Sequence, residues 1–164
     1  MMRFFGLIFV LALFWGCEER ELSGTSVGDM APQISAKTIK GDVVALGDFV
    51  DKNKVLVFWM YGCAGCTDII PALDKFESEN SDKFAVLAIN SYNVIEDLIK
   101  FQNENNFTNL KLLKDDLTIT FDRFEIKYVP VIIVLDKDNK IIDKITGEMP
   151  WEKIKSRLLS LLQG

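Results

Sequence analysis

The amino-acid sequence predicts an α/β domain built on a mixed β-sheet. Two apolar runs, Lys54–Trp59 and Phe84–Asn90, are typical of strands buried on both faces. A stretch with helical periodicity follows each of them. Two further strands, Val131–Leu135 and Lys140–Thr146, are separated by a short polar turn that favours an antiparallel hairpin. A strand–helix–strand unit combined with a terminal hairpin requires both parallel and antiparallel pairing.

The first residues are predicted to be an export signal and not part of the fold. Met1–Arg3 carry one positive charge, and Phe4–Trp15 form an apolar run too short to span a bilayer. The block Phe14–Cys17 resembles a bacterial lipobox, so residues 1–16 are interpreted as a lipoprotein signal peptide and Cys17 as the lipidated residue. A plain cleaved signal, in which Cys17 is incidental, and an uncleaved anchor are the alternatives. All three interpretations place the domain outside the cytoplasm.

The next elements are a tether and a hairpin. Residues 17–27 are predicted to be a loose tether, and residues 28–164 the folded domain. Two short extended segments, Ile34–Thr38 and Asp42–Leu46, are predicted to form a hairpin that turns around Lys40-Gly41. The buried strand Lys54–Trp59 comes next.

A change of periodicity from strand to helix occurs at the sequence CAGC, Cys63 to Cys66. From Cys63 onward, apolar residues recur at the spacing of one helix face and charged residues occupy the other faces. The apolar positions are Ile69, Ile70, Leu73 and Phe76. The two cysteines are therefore predicted at a strand-to-helix turn, with Cys63 at or just before the first residue of a helix that contains Pro71.

The remaining chain is predicted to alternate between helices and strands. The helix Val94–Asn105 is expected to turn Ile95, Leu98, Ile99 and Phe101 inward. The other predicted elements are a short strand at Leu110–Leu113, a helix near Leu117–Phe124, the two hairpin strands and a closing helix at Trp151–Leu162.

Composition excludes several classes of function. The chain has 164 residues, 49 % hydrophobic and 26 % charged, as expected for one globular domain. A net charge of -5 with scattered Lys and Arg gives no basic patch, so nucleic acid is not an expected partner. The chain contains no histidine, which argues against triad hydrolysis and most zinc chemistry.

The cysteine count favours redox chemistry. If a lipid occupies Cys17, the pair Cys63 and Cys66 remains with no odd thiol. Two cysteines without histidine cannot supply the roughly four ligands of a zinc site, and Thr67 stands where haem attachment needs histidine. A structural disulfide across so small a loop gains little stability. The helix N-terminus favours the thiolate of Cys63, so Cys63 is predicted to attack and Cys66, one turn deeper, to resolve.

These residues together resemble a known family. The segment WMYGCAGC, Pro71 and the later Tyr128-Val129-Pro130 before a strand are similar to the thioredoxin fold. The opening VGDMAPQI, the early hairpin and the inserted helix and strand resemble more closely the exported TlpA/ResA-like branch of membrane-tethered thiol:disulfide oxidoreductases. The resemblance covers residues 27–164.

The resemblance implies further properties of the site and its partners. Pro130 is expected to be cis and to lie beside the cysteines, and an extended substrate segment is expected to pair with the backbone of Val129-Pro130. The other expected substrate-binding residues are Tyr61, Gly62, Ala64 and Gly65. A monomer is expected that exchanges disulfides with proteins, is reduced by a membrane electron-relay protein, and needs neither metal nor organic cofactor. It would be lipid-anchored, facing the periplasm or outer cell envelope, with a reductive role in cytochrome c maturation as one function served.

Departures from the family concern proton transfer and access. Val57 and Ile69 occupy positions where relatives carry acids, and Asp68, the nearest acid in sequence, is expected to face solvent. Gly62 stands where the family usually has Trp, which opens the approach to the Cys63 sulfur and leaves Tyr61 as the aromatic wall.

Two other functions stay open on the sequence alone. A non-catalytic binding module could keep the fold without using its cysteines. A peroxiredoxin-type peroxidase would need Pro at the position of Leu56 and Thr or Ser at that of Met60.

Overall fold

The computed structural model describes residues 24–162. The predicted signal peptide, Cys17 and the first part of the predicted tether lie outside the described residues. The strands are β1 Ala36–Thr38, β2 Val43–Val44, β3 Asn53–Phe58, β4 Phe84–Asn90, β5 Lys111–Lys114, β6 Val131–Leu135 and β7 Ile141–Thr146. The helices are α1 Ala64–Glu79, α2 Ile95–Asn105, α3 Ile119–Arg123 and α4 Trp151–Ser160, and a short 3-10 turn covers Leu46–Asp48.

The seven strands form one mixed sheet in the order β2-β1-β5-β4-β3-β6-β7. The three central strands β5, β4 and β3 are parallel, whereas β6 and β7 pair antiparallel beside β3. The predicted early hairpin is present as β1 and β2, and β1 continues the sheet by pairing antiparallel with β5. The predicted mixed-sheet α/β fold, with its hairpin extension and inserted helix and strand, is confirmed.

Alternate residues of β3 face opposite sides of the sheet, as strand geometry requires. Val55 and Val57 lie in the same buried cluster as residues of α1, α2 and α4. Leu56 and Phe58 lie in a second cluster with α3 and the segment before β1. Both faces of β3 are therefore covered, which explains why its sequence is continuously apolar.

Two features add to the sequence-based expectations. In α2, Leu98 and Phe101 are buried, but Ile99 is 39 % exposed, so the predicted inner face was too wide. The last residues of the predicted tether contact the domain. The amide of Gly24 donates to the carbonyl of Met30 (3.0 Å), and Lys144 Nζ donates to the carbonyl of Thr25 (3.1 Å).

The topology brings distant loops to one edge of the sheet. The parallel strands β3, β4 and β5 all end at this edge. Because β6 runs antiparallel to β3, its first residue, Val131, pairs with Phe58, the last residue of β3. Thr146, the last residue of β7, pairs with Val131 in turn. The segments after β3, before β6 and after β7 consequently meet beside the start of α1.

Candidate active site

The two cysteines lie at the start of α1, as predicted. Cys63 is the N-cap residue of α1, and Cys66 lies in its first turn. The two residues are joined by a disulfide, with their Cα atoms 5.3 Å apart. Cys63 is half-buried, whereas Cys66 is only 1 % exposed. A partner approaching from solvent therefore reaches the sulfur of Cys63 and not that of Cys66.

Local backbone contacts hold the turn that carries the cysteines. The carbonyl of Cys63 accepts hydrogen bonds from the amides of Cys66 (3.1 Å) and Thr67 (3.0 Å), and from Thr67 Oγ1 (2.8 Å). Gly62, just before the pair, has a φ of +93°, a left-handed conformation that L side chains rarely adopt. The backbone conformation at this position therefore favours glycine.

Asn93, which the sequence did not single out, supports the segment before the cysteines. Its Oδ1 accepts hydrogen bonds from the amide of Tyr61 (2.9 Å) and from Nδ2 of Asn90 (3.0 Å). The amide of Asn93 donates in turn to Oδ1 of Asn90 (2.9 Å), and Asn90, at the end of β4, is fully buried. The only signal in sequence is a polar residue ending an otherwise apolar strand. This network ties the loop before Cys63 to the central sheet.

Three aromatic rings pack together next to the loop before Cys63. Trp59 is fully buried, and its ring centroid lies 5.0 Å from that of Phe101 in α2. The ring of Tyr61 also packs against Phe101, with the ring centroids 5.3 Å apart. Tyr61 itself is half-buried, and its role as an aromatic wall beside Cys63 stays a prediction.

The predicted proline segment lies at this site. The Val129–Pro130 bond is cis, as the resemblance implied. Val129 is half-buried and packs against the same apolar cluster as Cys63. The carbonyl of Pro130 accepts a hydrogen bond from the amide of Gly147 (2.9 Å), which connects the proline segment to the loop after β7.

The acids near the pair differ from the sequence-based expectation in one respect. Val57 and Ile69 are buried and apolar, and Asp68 is exposed, as expected. However, Glu148, which follows β7 and was not singled out from sequence, lies against Gly65 in the CAGC turn. A Cβ atom added to Gly65 would lie 2.6 Å from Cδ and Oε1 of Glu148. Ala64, the other residue between the cysteines, is exposed.

Two further properties concern residues 24–162 as a whole. Across this range, no group of three or more His, Cys, Asp or Glu side chains is arranged to hold a metal ion. None of the helices described there combines the length and apolar character needed to cross a bilayer.

Thiol–disulfide exchange requires one sulfur that a partner can reach and a second held within bonding distance behind it. The half-buried Cys63 and the buried Cys66 satisfy both requirements on a thioredoxin-like sheet. Fold and site together define the class: this is a thioredoxin-like thiol:disulfide oxidoreductase. Comparison with protein families agrees, and the chain belongs to the AhpC/TSA family, whose model matches residues 27–144.

The names of individual relatives agree with this class of protein. The chain is 29 % identical over 137 residues to the thioredoxin-like protein YneN of Bacillus subtilis, covering 82 % of this chain and 80 % of YneN. It is 22 % identical over 132 residues to the thiol-disulfide oxidoreductase ResA of Bacillus cereus, covering 80 % and 76 %. A solved thiol:disulfide interchange protein from Bacteroides superposes with a TM-score of 0.72 at 27 % identity, covering 85 % of this chain and 91 % of that one. The resemblance to ResA-like thioredoxin-fold proteins is confirmed.

Proposed function

We propose that the protein works outside the cytoplasm and exchanges disulfides with protein substrates, with Cys63 as the attacking and Cys66 as the resolving residue. The observation that carries the proposal is the difference in exposure between the two bonded cysteines at the N-terminus of α1. The positive end of the helix dipole stabilises a thiolate at the N-cap, and the thiolate is the nucleophile in disulfide exchange.

The exchange proceeds in two balanced steps. In the reduced protein, the thiolate of Cys63 attacks one sulfur of a partner disulfide, and a mixed disulfide forms as the partner S–S bond breaks. The departing partner thiolate takes a proton. Cys66 then loses its proton and attacks Cys63, which forms the intramolecular disulfide and releases the second partner thiolate. The partner gains two electrons and the protein loses two.

The substrate is proposed to dock as an extended segment over the cysteines. The proposal is supported by the exposure of this segment, since Val129 is half-buried and the neighbouring Tyr128 is 58 % exposed. An extended peptide can pair with such a segment through main-chain hydrogen bonds, which tolerate many substrate sequences. The remaining proposed contacts are Tyr61, Gly62, Ala64 and Gly65.

The cellular setting is part of the proposal. The lipobox-like block before Cys17 supports an exported protein held at a membrane by lipid. The resemblance to TlpA/ResA-like proteins supports the reductive direction, a membrane electron-relay protein as the source of electrons, and cytochrome c maturation as a process served. The cysteine pair itself carries the two electrons, so the proposed reaction uses no organic cofactor.

Reduction of insulin by dithiothreitol tests the catalytic claim. The purified protein is expected to accelerate insulin reduction, and Cys63→Ser is expected to remove that acceleration. Cys17→Ser is the matched control, because it makes the same replacement at the cysteine outside the CAGC sequence and should leave the rate in detergent unchanged. Equal rates for the wild type and Cys63→Ser would indicate a non-catalytic binding module.

A resolving-cysteine trap tests the nature of the partners. In Cys66→Ser the mixed disulfide on Cys63 cannot be resolved, so physiological partners should accumulate there. Mass spectrometry of the trapped species from the native cell is expected to show exported proteins with cysteine pairs. Apocytochrome c among them would support the specific process, and exclusively cytoplasmic partners would contradict export.

Peroxidase activity is the alternative that membership of the AhpC/TSA family raises. A peroxidase of the peroxiredoxin type needs Pro and Thr or Ser seven and three residues before its attacking cysteine. Here those positions hold Leu56, which is fully buried within β3, and Met60. Hydrogen peroxide consumption by the reduced protein is therefore expected to be no faster than that of free dithiol.

A further inference from the structure

The loop after β7 places an acidic side chain against the turn that holds the cysteines. Gly147 donates its amide hydrogen bond to the carbonyl of Pro130, which fixes the loop at the edge of the sheet where Cys63 lies. The side chain of the next residue, Glu148, occupies the space beside Gly65. A Cβ at Gly65 would lie 2.6 Å from both Cδ and Oε1 of Glu148, far inside van der Waals contact. The carboxylate can occupy this place because residue 65 is glycine.

The pocket beside Glu148 has no basic residue in its lining. A shallow pocket of about 450 Å³ beside the CAGC turn is lined by Gly65, Asp68, Ile69, Glu148, Met149, Pro150 and Trp151. Both charged residues among these are acids, Asp68 and Glu148. The first turn of α1 contains no acidic residue of its own. Glu148 is therefore an anion brought to the N-terminal turn of α1 from another element.

An anion at this place acts on the reduced and oxidised forms differently. The disulfide carries no charge, whereas the reduced protein carries the thiolate of Cys63 at the N-terminus of α1. A carboxylate beside that turn repels the thiolate and counteracts the favourable helix dipole. Stabilising the reduced form makes a dithiol pair more oxidising, so destabilising it makes the pair a stronger reductant.

We propose that Glu148 biases exchange towards reduction of the partner by making the Cys63–Cys66 pair more reducing, and that Gly65 is the residue that admits it. This inference rests on the proposed thiol–disulfide function and adds to it the residue that sets the balance between disulfide and dithiol. It also gives Gly65 a role: this glycine leaves room for a charge.

The equilibrium between the protein and a glutathione buffer tests the proposal. The purified full-length protein in detergent is equilibrated at graded ratios of reduced to oxidised glutathione, and the dithiol fraction is read by alkylation and mass shift. Glu148→Gln is expected to shift the equilibrium constant towards the dithiol about three- to tenfold, the size expected for one solvent-exposed unit charge near the thiolate. A tenfold shift corresponds to about 30 mV.

Gly65→Ala supplies an independent variant with no change of charge. Its methyl group displaces the carboxylate from the turn, so the equilibrium is expected to shift in the same direction. Combining Gly65→Ala with Glu148→Gln should add little to either variant alone. The matched control is Glu152→Gln, an exposed acid in the first turn of α4 outside the pocket, which is expected to leave the equilibrium constant unchanged.

Two further measurements identify the electrostatic cause. In Glu148→Gln, iodoacetamide should alkylate Cys63 of the reduced protein about three- to tenfold faster at mildly acidic pH, because more of it is thiolate. At about 1 M salt, the differences between wild type and variant should shrink, since charges near the surface are then screened within a few ångströms. A purely structural role for Glu148 would show neither effect.

The outcomes separate this inference from the proposed function. An unchanged equilibrium constant in Glu148→Gln, or a shift towards the disulfide, overturns the role of Glu148 even where the wild type reduces insulin. A wild type that fails to accelerate insulin reduction while Glu148→Gln still shifts the equilibrium overturns the proposed function and leaves the electrostatic role standing.

Discussion

A buried acid on the helix that carries the cysteines is predicted to make stability depend on pH. Glu77 lies two residues before Glu79, the last residue of α1, and is only 8 % exposed. Its Oε2 has no hydrogen-bond partner within the described part of the chain. Burial raises the pKa of Glu77 from 4.5 to about 7. The amide of Val86 and the cations of Lys111 and Lys52 counteract this rise only in part.

The pKa of Glu77 determines the sign and size of the effect. Between pH 4.5 and about 7 the folded protein holds a proton on Glu77 that the unfolded chain has lost. The free energy of unfolding therefore falls as pH rises through this window and is level above it. One pKa unit corresponds to about 1.4 kcal/mol, so the total loss is roughly 3 kcal/mol.

Replacement of Glu77 by Gln removes this loss, because the amide resembles the protonated acid and cannot ionise. Glu77→Gln is expected to match the wild type below pH 4.5 and to exceed its free energy of unfolding by up to roughly 3 kcal/mol above pH 7. Asp115, whose pKa burial also raises, is unchanged in both proteins, so the difference between them isolates Glu77.

Urea unfolding at several pH values between 4.5 and 8.5, followed by tryptophan fluorescence, measures the difference in the free energy of unfolding. The matched control is Glu79→Gln, an exposed acid on the same helix paired with Lys155, which should change stability by less than about 1 kcal/mol at every pH. The reasoning would be refuted if the difference in the free energy of unfolding between Glu77→Gln and the wild type did not grow with pH. That result would show that the Glu77 carboxylate is solvated in the folded protein.

Three other predictions concern the site and the anchor. Asn93→Ala removes the hydrogen-bond acceptor that holds the loop before the cysteines. The substitution is expected to slow insulin reduction about fivefold and to lower the free energy of unfolding by about 1–3 kcal/mol. An unchanged rate would show that the loop keeps its conformation without Asn93. Ile69→Glu places a proton acceptor near buried Cys66 and should speed release of the mixed disulfide near neutral pH, measured in rapid-quench assays. Asp68→Asn, at an exposed position, should leave the release rate unchanged. Slow release in Asp68→Asn would show that Asp68 takes part in the proton transfer. Cys17→Ser should move the protein to the aqueous phase of a detergent extraction with unchanged activity, and a wild type already in that phase would contradict the lipid anchor.

Features encoded by neighbouring residues were predictable from the sequence. The strands Phe84–Asn90 and Val131–Leu135 have the predicted bounds, because a strand covered on both faces must be continuously apolar. The start of the helix after Cys63 was equally visible, since the period of apolar residues changes there. The cis bond before Pro130 was inferable from the resemblance and from no local pattern.

The surroundings of the cysteines were decided by the tertiary structure. Asn93 and Glu148 are ordinary polar residues in their own segments, and neither belongs to a motif. They reach the site because the pairing of β3 with β4 and β6, and of β6 with β7, brings their loops to the edge where α1 begins. Likewise, only packing against the sheet decided that Ile99 stays exposed while Phe101 lies under Trp59. The sequence by itself determined which residues can do the chemistry, because a cysteine pair at a helix start is a local feature. The charge and support around that pair depend on contacts between segments far apart in the chain, and these exist only once the strand register is set.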